Sequence, residues 1–173
     1  MTTPTQTTRA PIGAAEFRDA MAHLAAPLTI ITTADETGRR WGFTASAVTS
    51  VSMEPPLLLV GIARTSSCHP ALTSAPEFVV NLLGAEHAAT ARTFARSGID
   101  RFASGGFETW PGSALPVLAN AHAAFLCRRA DVLPAGDHDL LLGELLETRQ
   151  GPGGEPLLWY QREFRTPLGR PTH

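Results

Sequence analysis

Between residues 44 and 52 the chain places Thr44, Ser46, Thr49, Ser50 and Ser52, five hydroxyls in nine residues, separated only by Ala45, Ala47, Val48 and Val51. No charged side chain occurs between Trp41 and Met53. A Ser/Thr-rich surface strand usually carries charges as well, so the pattern is not that of ordinary solvated strand. Small uncharged side chains leave the backbone N–H groups open to approach, and each hydroxyl adds a rotatable donor beside them. Such a surface suits a flat, polar ligand. Taken alone, it is equally compatible with a solvated barrel strand.

A second group of residues could in principle ligate metal for hydrolysis: His69, His122, His138, Asp137 and Asp139. No pair shows the i, i+4 helical His spacing or the Cys-x-x-Cys spacing that usually marks such sites, so no metal is expected. Cys68 and Cys127 are far apart and in no ligand spacing, and they read as small packing residues of a reduced protein. Asn81, inside an apolar run, reads as a side chain that satisfies buried backbone. Asp100 beside Arg101 allows a local ion pair, and Asp137 and Asp139 beside His138 allow a simple turn.

The elements that must position these residues are mostly strands. Phe17, Ala20, Met21 and Leu24 fall at helical spacing, and Pro27 stops that helix. Strands are predicted over 28–33 and from Trp41 onward, joined by a turn at 35–38. Pro55 and Pro56 interrupt the ladder before a strand over 57–62. A short helix is predicted over 67–74, with Ser66 or Ser67 as its cap and Pro70 in its first turn. Further strands are expected over 78–83, 121–132, 140–148 and 157–164, with an Ala-rich helix over 86–95. The glycine-rich stretch 97–112 reads as an ordered loop lying over something, and long loops of this kind are often functional. About seven strands with helices at the start and in the crossings predict a mainly β fold, a closed barrel with helical additions.

At 173 residues and 43% hydrophobic content the chain has material for one sizeable core. A loose arm is expected at 1–11 and a single domain over 12–173. All 14 basic residues are arginines, scattered without a stripe, and the net charge is -2, which argues against nucleic acid as a partner. No segment has the length and apolarity of a membrane span, and no basic-then-apolar signal opens the chain, so a cytoplasmic location is expected.

Seven pieces in shared order carry a resemblance to a known family: FRDAMAHLA, GFTASAVTSVSMEPPLLLV, RTSSCHPAL, FVVNLL, DRF, GDHDLLLGEL and LLWYQREF. The chain resembles, over about residues 14–164, the short flavin reductases that serve two-component monooxygenases, proteins of the FMN-binding split β-barrel fold of Greek-key type. The resemblance implies a homodimer with flavin near the subunit interface, FMN or FAD as the flavin, and NADH or NADPH as the reductant. It implies an enzyme that releases reduced flavin to a partner monooxygenase. It further implies that Thr44, Ala45, Ser46, Val48, Thr49 and Ser50 run along the flavin ring and ribityl chain. Ser66, Ser67 and Arg101 are implied at the phosphate end, Phe102 among the cofactor-binding residues, and His138 beside the nicotinamide. Fold alone does not separate a reductase from a flavin carrier, a sensor, or an oxidase acting on its own substrate.

Three departures from the family pattern stand out. Ala26 and Pro27 replace a common Thr-Gly, Ala47 stands where Ser is common, and Glu163 where Gly is common. These leave the flavin type and the nicotinamide preference open.

Overall fold

The computed structural model describes residues 9–167. Of the arm expected at 1–11, residues 1–8 lie outside the described residues, while Arg9, Ala10 and Pro11 are exposed and irregular. Helix α1 (Ala14–Met21) begins three residues earlier than its apolar spacing suggests and buries none of its side chains. Phe17, Met21 and Leu24 are instead exposed, so among the described residues nothing covers the apolar stripe. The strands β1 (Ala26–Pro27), β2 (Thr29–Ala34) and β3 (Arg40–Ala45) follow. The turn between β2 and β3 is organised by Asp35, whose carboxylate accepts from the N–H groups of Thr37 and Arg39 and from the indole of Trp41.

Next come β4 (Val48–Met53), β5 (Pro56–Ala63), α2 (His69–Ser74) and β6 (Glu77–Leu82). Cys68, not Ser66 or Ser67, occupies the cap position of α2, and the Ser66 hydroxyl accepts from the Cys68 N–H at 3.3 Å. A tight turn at Ala85–His87 leads into α3 (Ala88–Phe94). The stretch expected as loop contains β7 (Phe107–Thr109), which pairs with β8 (Pro116–Leu118). Two long strands, β9 (Ala123–Ala135) and β10 (His138–Gln150), form the largest hairpin. The last expected strand is itself a hairpin, β11 (Leu158–Tyr160) and β12 (Glu163–Arg165), turning at Gln161 and Arg162, both with positive φ.

Seven strands pair antiparallel in the order β3-β2-β6-β9-β10-β5-β4. The two outer strands are consecutive in the chain and are joined only by Ser46 and Ala47. Ala45 pairs with Thr29 on β2, whereas Val48 pairs with Val60 on β5. The corner therefore carries the chain from one edge of the sheet to the other, and the sheet must curl until its edges meet there. Gly61 N–H donates to the Ala47 carbonyl at 2.9 Å, which continues the β4–β5 pairing into this corner. A Cβ on Gly61 would stand 3.1 Å from the Ala47 Cβ, so the close approach requires two small residues. The result is a mainly β split barrel.

Burial explains the long apolar runs. Ile30, Val79 and Leu126 belong to one core cluster with α3 and the β7–β8 hairpin, while their neighbours Ile31, Val80 and Cys127 belong to the other, inside the barrel with Leu72 of α2. Successive residues of a strand point to opposite faces, so β2, β6 and β9 are covered on both sides. Each fully buried Ile, Val or Phe contributes roughly 1.5–3 kcal/mol. Asn81 is wholly buried and fully used: its amide donates to the Ile30 carbonyl at 2.9 Å, and its Oδ1 accepts from the Leu118 N–H at 2.8 Å.

Candidate functional site

The seam of the barrel opens into a cleft of about 350 Å³, within the range of roughly 300–1,000 Å³ typical of small-molecule sites. Its floor is the end of β3 and the Ser46–Ala47 corner, and one wall is the end of β5 with the turn that carries Thr65, Ser66 and Ser67. The opposite wall is the end of α3 with Ser97 and Arg101, and His138 stands at the mouth. Ala45, Ala47, Gly61, Ala63 and Ala95 line it without any side chain beyond Cβ, so a planar group can lie against backbone.

Arg101 is the charged group of this cleft, and the fold fixes it from three sides. Its Nε donates to the Arg96 carbonyl at 2.6 Å, just past the end of α3. Its Nη1 approaches the Ser67 hydroxyl at 3.4 Å and the Cys68 sulfur at 3.0 Å. The thiol of Cys68 is buried and donates to the Gly42 carbonyl at 3.2 Å, which ties the guanidinium to β3. Among the described residues Arg101 faces no carboxylate in an ion pair; the neighbouring Asp100 instead accepts from the Phe102 N–H at 3.0 Å. A guanidinium held in place beside two serine hydroxyls, with its charge unneutralised, is suited to a phosphate.

His138 is the first residue of β10 and pairs in register with Ala63 and Ala135, which sets it at the rim. Its Nδ1 lies 2.7 Å from Asp137 Oδ1. A carboxylate only accepts, so Nδ1 carries the proton in this hydrogen bond. That hydrogen bond holds the Asp137 carboxyl below the usual range. Asp139 serves a separate cluster: it accepts from His69 at 2.7 Å and pairs with Arg64 at 2.8 Å, and the His69 bond followed by that from Arg64 lowers its carboxyl. The five residues weighed for a metal thus fall into separate places, with the buried His122 Nδ1 making no bond to either group. Among the described residues no three His, Cys, Asp or Glu side chains gather to hold a metal ion.

The structure brings Thr44, Ala45, Ser46, Ser66, Ser67, Arg101 and His138 around one cleft. The Thr44 hydroxyl, however, donates to the Ala91 carbonyl at 2.7 Å and holds α3 on the barrel. Val48, Thr49 and Ser50 line a different, mainly apolar slot of about 340 Å³ beyond the corner, with Leu57, Leu82 and Phe125. The Phe102 ring is buried, packed 5.0 Å from both Phe94 and Phe107, so it supports Arg101 from behind. Two residues of this region give no signal in the sequence pattern: Ser97, which lines the cleft, and the buried Cys68 behind it, which reads as packing yet bonds to a guanidinium 33 positions away. No local signal announces such a contact. Cys127 differs, since burial alone pushes its thiol up to about 12.

The closed sheet with its small-residue seam defines a split barrel, and two serines with a fixed arginine give its cleft donors suited to a phosphate. The chain belongs to the flavin reductase like domain family, whose model matches residues 21–167. It is 52% identical over 160 residues to an NADH:riboflavin 5'-phosphate oxidoreductase of Streptomyces pristinaespiralis, covering 92% of this chain and 91% of that one. It is 38% identical over 154 residues to the reductase component of a 4-nitrophenol 4-monooxygenase/4-nitrocatechol 2-monooxygenase of Rhodococcus opacus, covering 89% and 81% of the two chains. Among solved structures, an NADH:FAD oxidoreductase of Streptomyces globisporus in complex with NAD and FAD fragments superposes with a TM-score of 0.82 at 30% identity, over 87% of this chain and 90% of the other. The chain is a flavin reductase.

Proposed function

We propose that this flavin reductase takes FMN into the seam cleft, oxidises NADH there, and releases reduced flavin to a partner monooxygenase. The observation that carries the reading is the Arg101 guanidinium anchored between Ser67 and Cys68 beside a floor of Ala45, Ser46 and Ala47. The cleft fits the group in two respects: small residues admit a flat ring, and hydroxyls with one fixed cation meet a phosphate. Flavin supplies the hydride acceptor and the reduced nicotinamide the hydride. Ser66, Ser67 and Arg101 hold the phosphate, while the corner backbone and Ser46 border the ring. His138, with its tautomer set by Asp137, borders the nicotinamide. Many weak contacts in an open cleft suit repeated loading and release. FMN and NADH are the species named for the S. pristinaespiralis relative, and the R. opacus relative is named as a monooxygenase component.

The same proposal includes a homodimer in a single domain over 12–173, located in the cytoplasm. Ile12, Phe17, Met21 and Leu24 at one end, with Val51 and the 94% exposed Met53 on edge strand β4, leave apolar surface that a second copy would cover. Light scattering of purified protein tests the dimer. Activity is tested by titrating the protein with FMN, then adding NADH or NADPH without oxygen and following loss of flavin absorbance. Saturation in both substrates supports a reductase; binding without turnover leaves a carrier or sensor.

A further inference from the structure

Residues 64–68 link the end of β5 at Ala63 to the start of α2 at His69 outside any strand or helix, and Thr65, Ser66 and Ser67 of this turn wall the seam cleft. The turn's own bonds are short-range: Ser66 N–H donates to the Ala63 carbonyl at 2.9 Å and His69 N–H to the Ser66 carbonyl at 3.0 Å. An irregular segment keeps its hydroxyls in one place only when something outside it holds both ends. That hold comes from the tip of the β9–β10 hairpin. Arg64 N–H donates to the Asp137 carbonyl at 3.1 Å. Asp139 then spans the whole turn: its Oδ1 accepts from Arg64 Nε at 2.9 Å and Nη2 at 2.8 Å, and its Oδ2 accepts from His69 Nε2 at 2.7 Å. One carboxylate thus uses one oxygen on the residue that opens the turn and the other on the residue that closes it.

The carboxylate is itself anchored in the sheet, where Asp139 pairs with Ile62 of β5 and Pro134 of β9. An exposed ion pair contributes little, and the Arg64 side chain is 45% exposed. Asp139 and His69 are only 15% and 19% exposed, so the His69 bond is the better protected of the two. The clamp reaches further than the turn. The Ser67 hydroxyl lies 3.4 Å from both Nη1 and Nη2 of Arg101, so a turn held at Arg64 and His69 also presents the guanidinium with its partner. Ordering these groups before a ligand arrives removes that cost from binding. The two acids beside His138 therefore divide the work: Asp137 orientates the imidazole, and Asp139 holds the turn.

We infer that Asp139, acting through Arg64 and His69, is a positioning residue for the flavin phosphate, and that without it Ser66 and Ser67 no longer meet that group together with Arg101. The inference rests on the seam cleft taking the phosphate of FMN. Its test is calorimetric titration of the purified protein with FMN and with riboflavin, which lacks the phosphate, and the readout is the ratio of the riboflavin to the FMN dissociation constant. In Asp139→Ala this ratio is expected to fall by about tenfold, through FMN alone, with riboflavin affinity within about twofold of wild type. His69→Ala is expected to lower it in the same way. His69→Gln, whose amide can donate to the same carboxylate oxygen, is expected to keep the ratio within about twofold of wild type. The His69→Ala/Asp139→Ala double variant is expected to fall no further than Asp139→Ala, because the clamp is already open. An unchanged ratio in Asp139→Ala, or an equal weakening of both ligands, overturns the positioning role. The two His69 variants stand even where Asp139→Ala fails to fold: equal ratios in His69→Ala and His69→Gln count against the clamp. A wild-type ratio near one removes the phosphate from the cleft and overturns both readings, whereas a high wild-type ratio kept by Asp139→Ala overturns the role of Asp139 alone.

Discussion

The Nη1 of Arg101 and the Sγ of Cys68 lie 3.0 Å apart, and the same sulfur donates to the Gly42 carbonyl, so a strand of the barrel aims the guanidinium of the seam cleft. Arg101→Ala removes a charge-assisted contact that FMN would make and riboflavin, lacking the phosphate, would not. The FMN dissociation constant should rise by about tenfold while that of riboflavin stays within about twofold. Fluorescence titration with both ligands checks it. Equal effects on the two would take Arg101 away from the phosphate.

His138 borders the cleft without lying on its floor, and its ring is orientated by Asp137 at 2.7 Å. His138→Ala should therefore slow reduction by NADH by about tenfold in anaerobic stopped flow, while FMN affinity stays within about twofold. Asp137→Asn should give a smaller loss in the same direction, since it frees the ring to rotate but leaves it present. A normal reduction rate combined with weakened FMN binding would assign His138 to the flavin instead.

Much of this arrangement is legible in the sequence, because it depends on periodicity and turn chemistry. The strands β2, β5, β6, β9 and β10 announce themselves as apolar runs bounded by Pro, Gly and Asp. What periodicity cannot give is the identity of the covering surface. The stripe of Phe17, Met21 and Leu24 was readable as one face of a helix, but nothing local says that the face is left exposed. Gln161 and Arg162 adopt positive φ without the Gly or Asn that would signal a hairpin, so β11 and β12 read as one strand. The hydroxyl run reads as one surface, yet the corner at Ser46 and Ala47 sends it to opposite edges of the sheet. Thr44 and Ser46 face the seam cleft, and Thr49 and Ser50 face the apolar slot.

The Asp35 turn gives a pH signature. Hydrogen bonds from the Thr37 side chain, then from Trp41, hold the Asp35 carboxyl at about 2, below its ordinary 3.8. A carboxyl depressed in the folded state adds stability that is complete above the unfolded value and fades as pH falls through the folded one. The difference in Tm between wild type and Asp35→Ala should thus be constant above about pH 5, shrink between 3.8 and about 2, and vanish below that. Thermal melts across that window check it. A Tm difference that persists unchanged at the acid end would mean that the turn is held by groups other than the carboxylate.

Asn81 couples the barrel to the layer that backs the site. From β6 its amide reaches the Ile30 carbonyl, and its Oδ1 takes the Leu118 N–H of β8 at 2.8 Å. Strand β8 pairs with β7, whose Phe107 packs 5.0 Å from Phe102, the residue that follows Arg101. Asn81→Ala leaves the Leu118 N–H buried without its partner and opens space in a fully buried position, at a cost of about 1–3 kcal/mol for the unmet group alone. Urea denaturation should show a lower midpoint with an unchanged slope, because the same surface is exposed on unfolding. FMN affinity should weaken in parallel as the support behind Phe102 loosens. A stable variant, within about 0.5 kcal/mol of wild type, would show that water or a rearranged β8 satisfies the Leu118 N–H just as well.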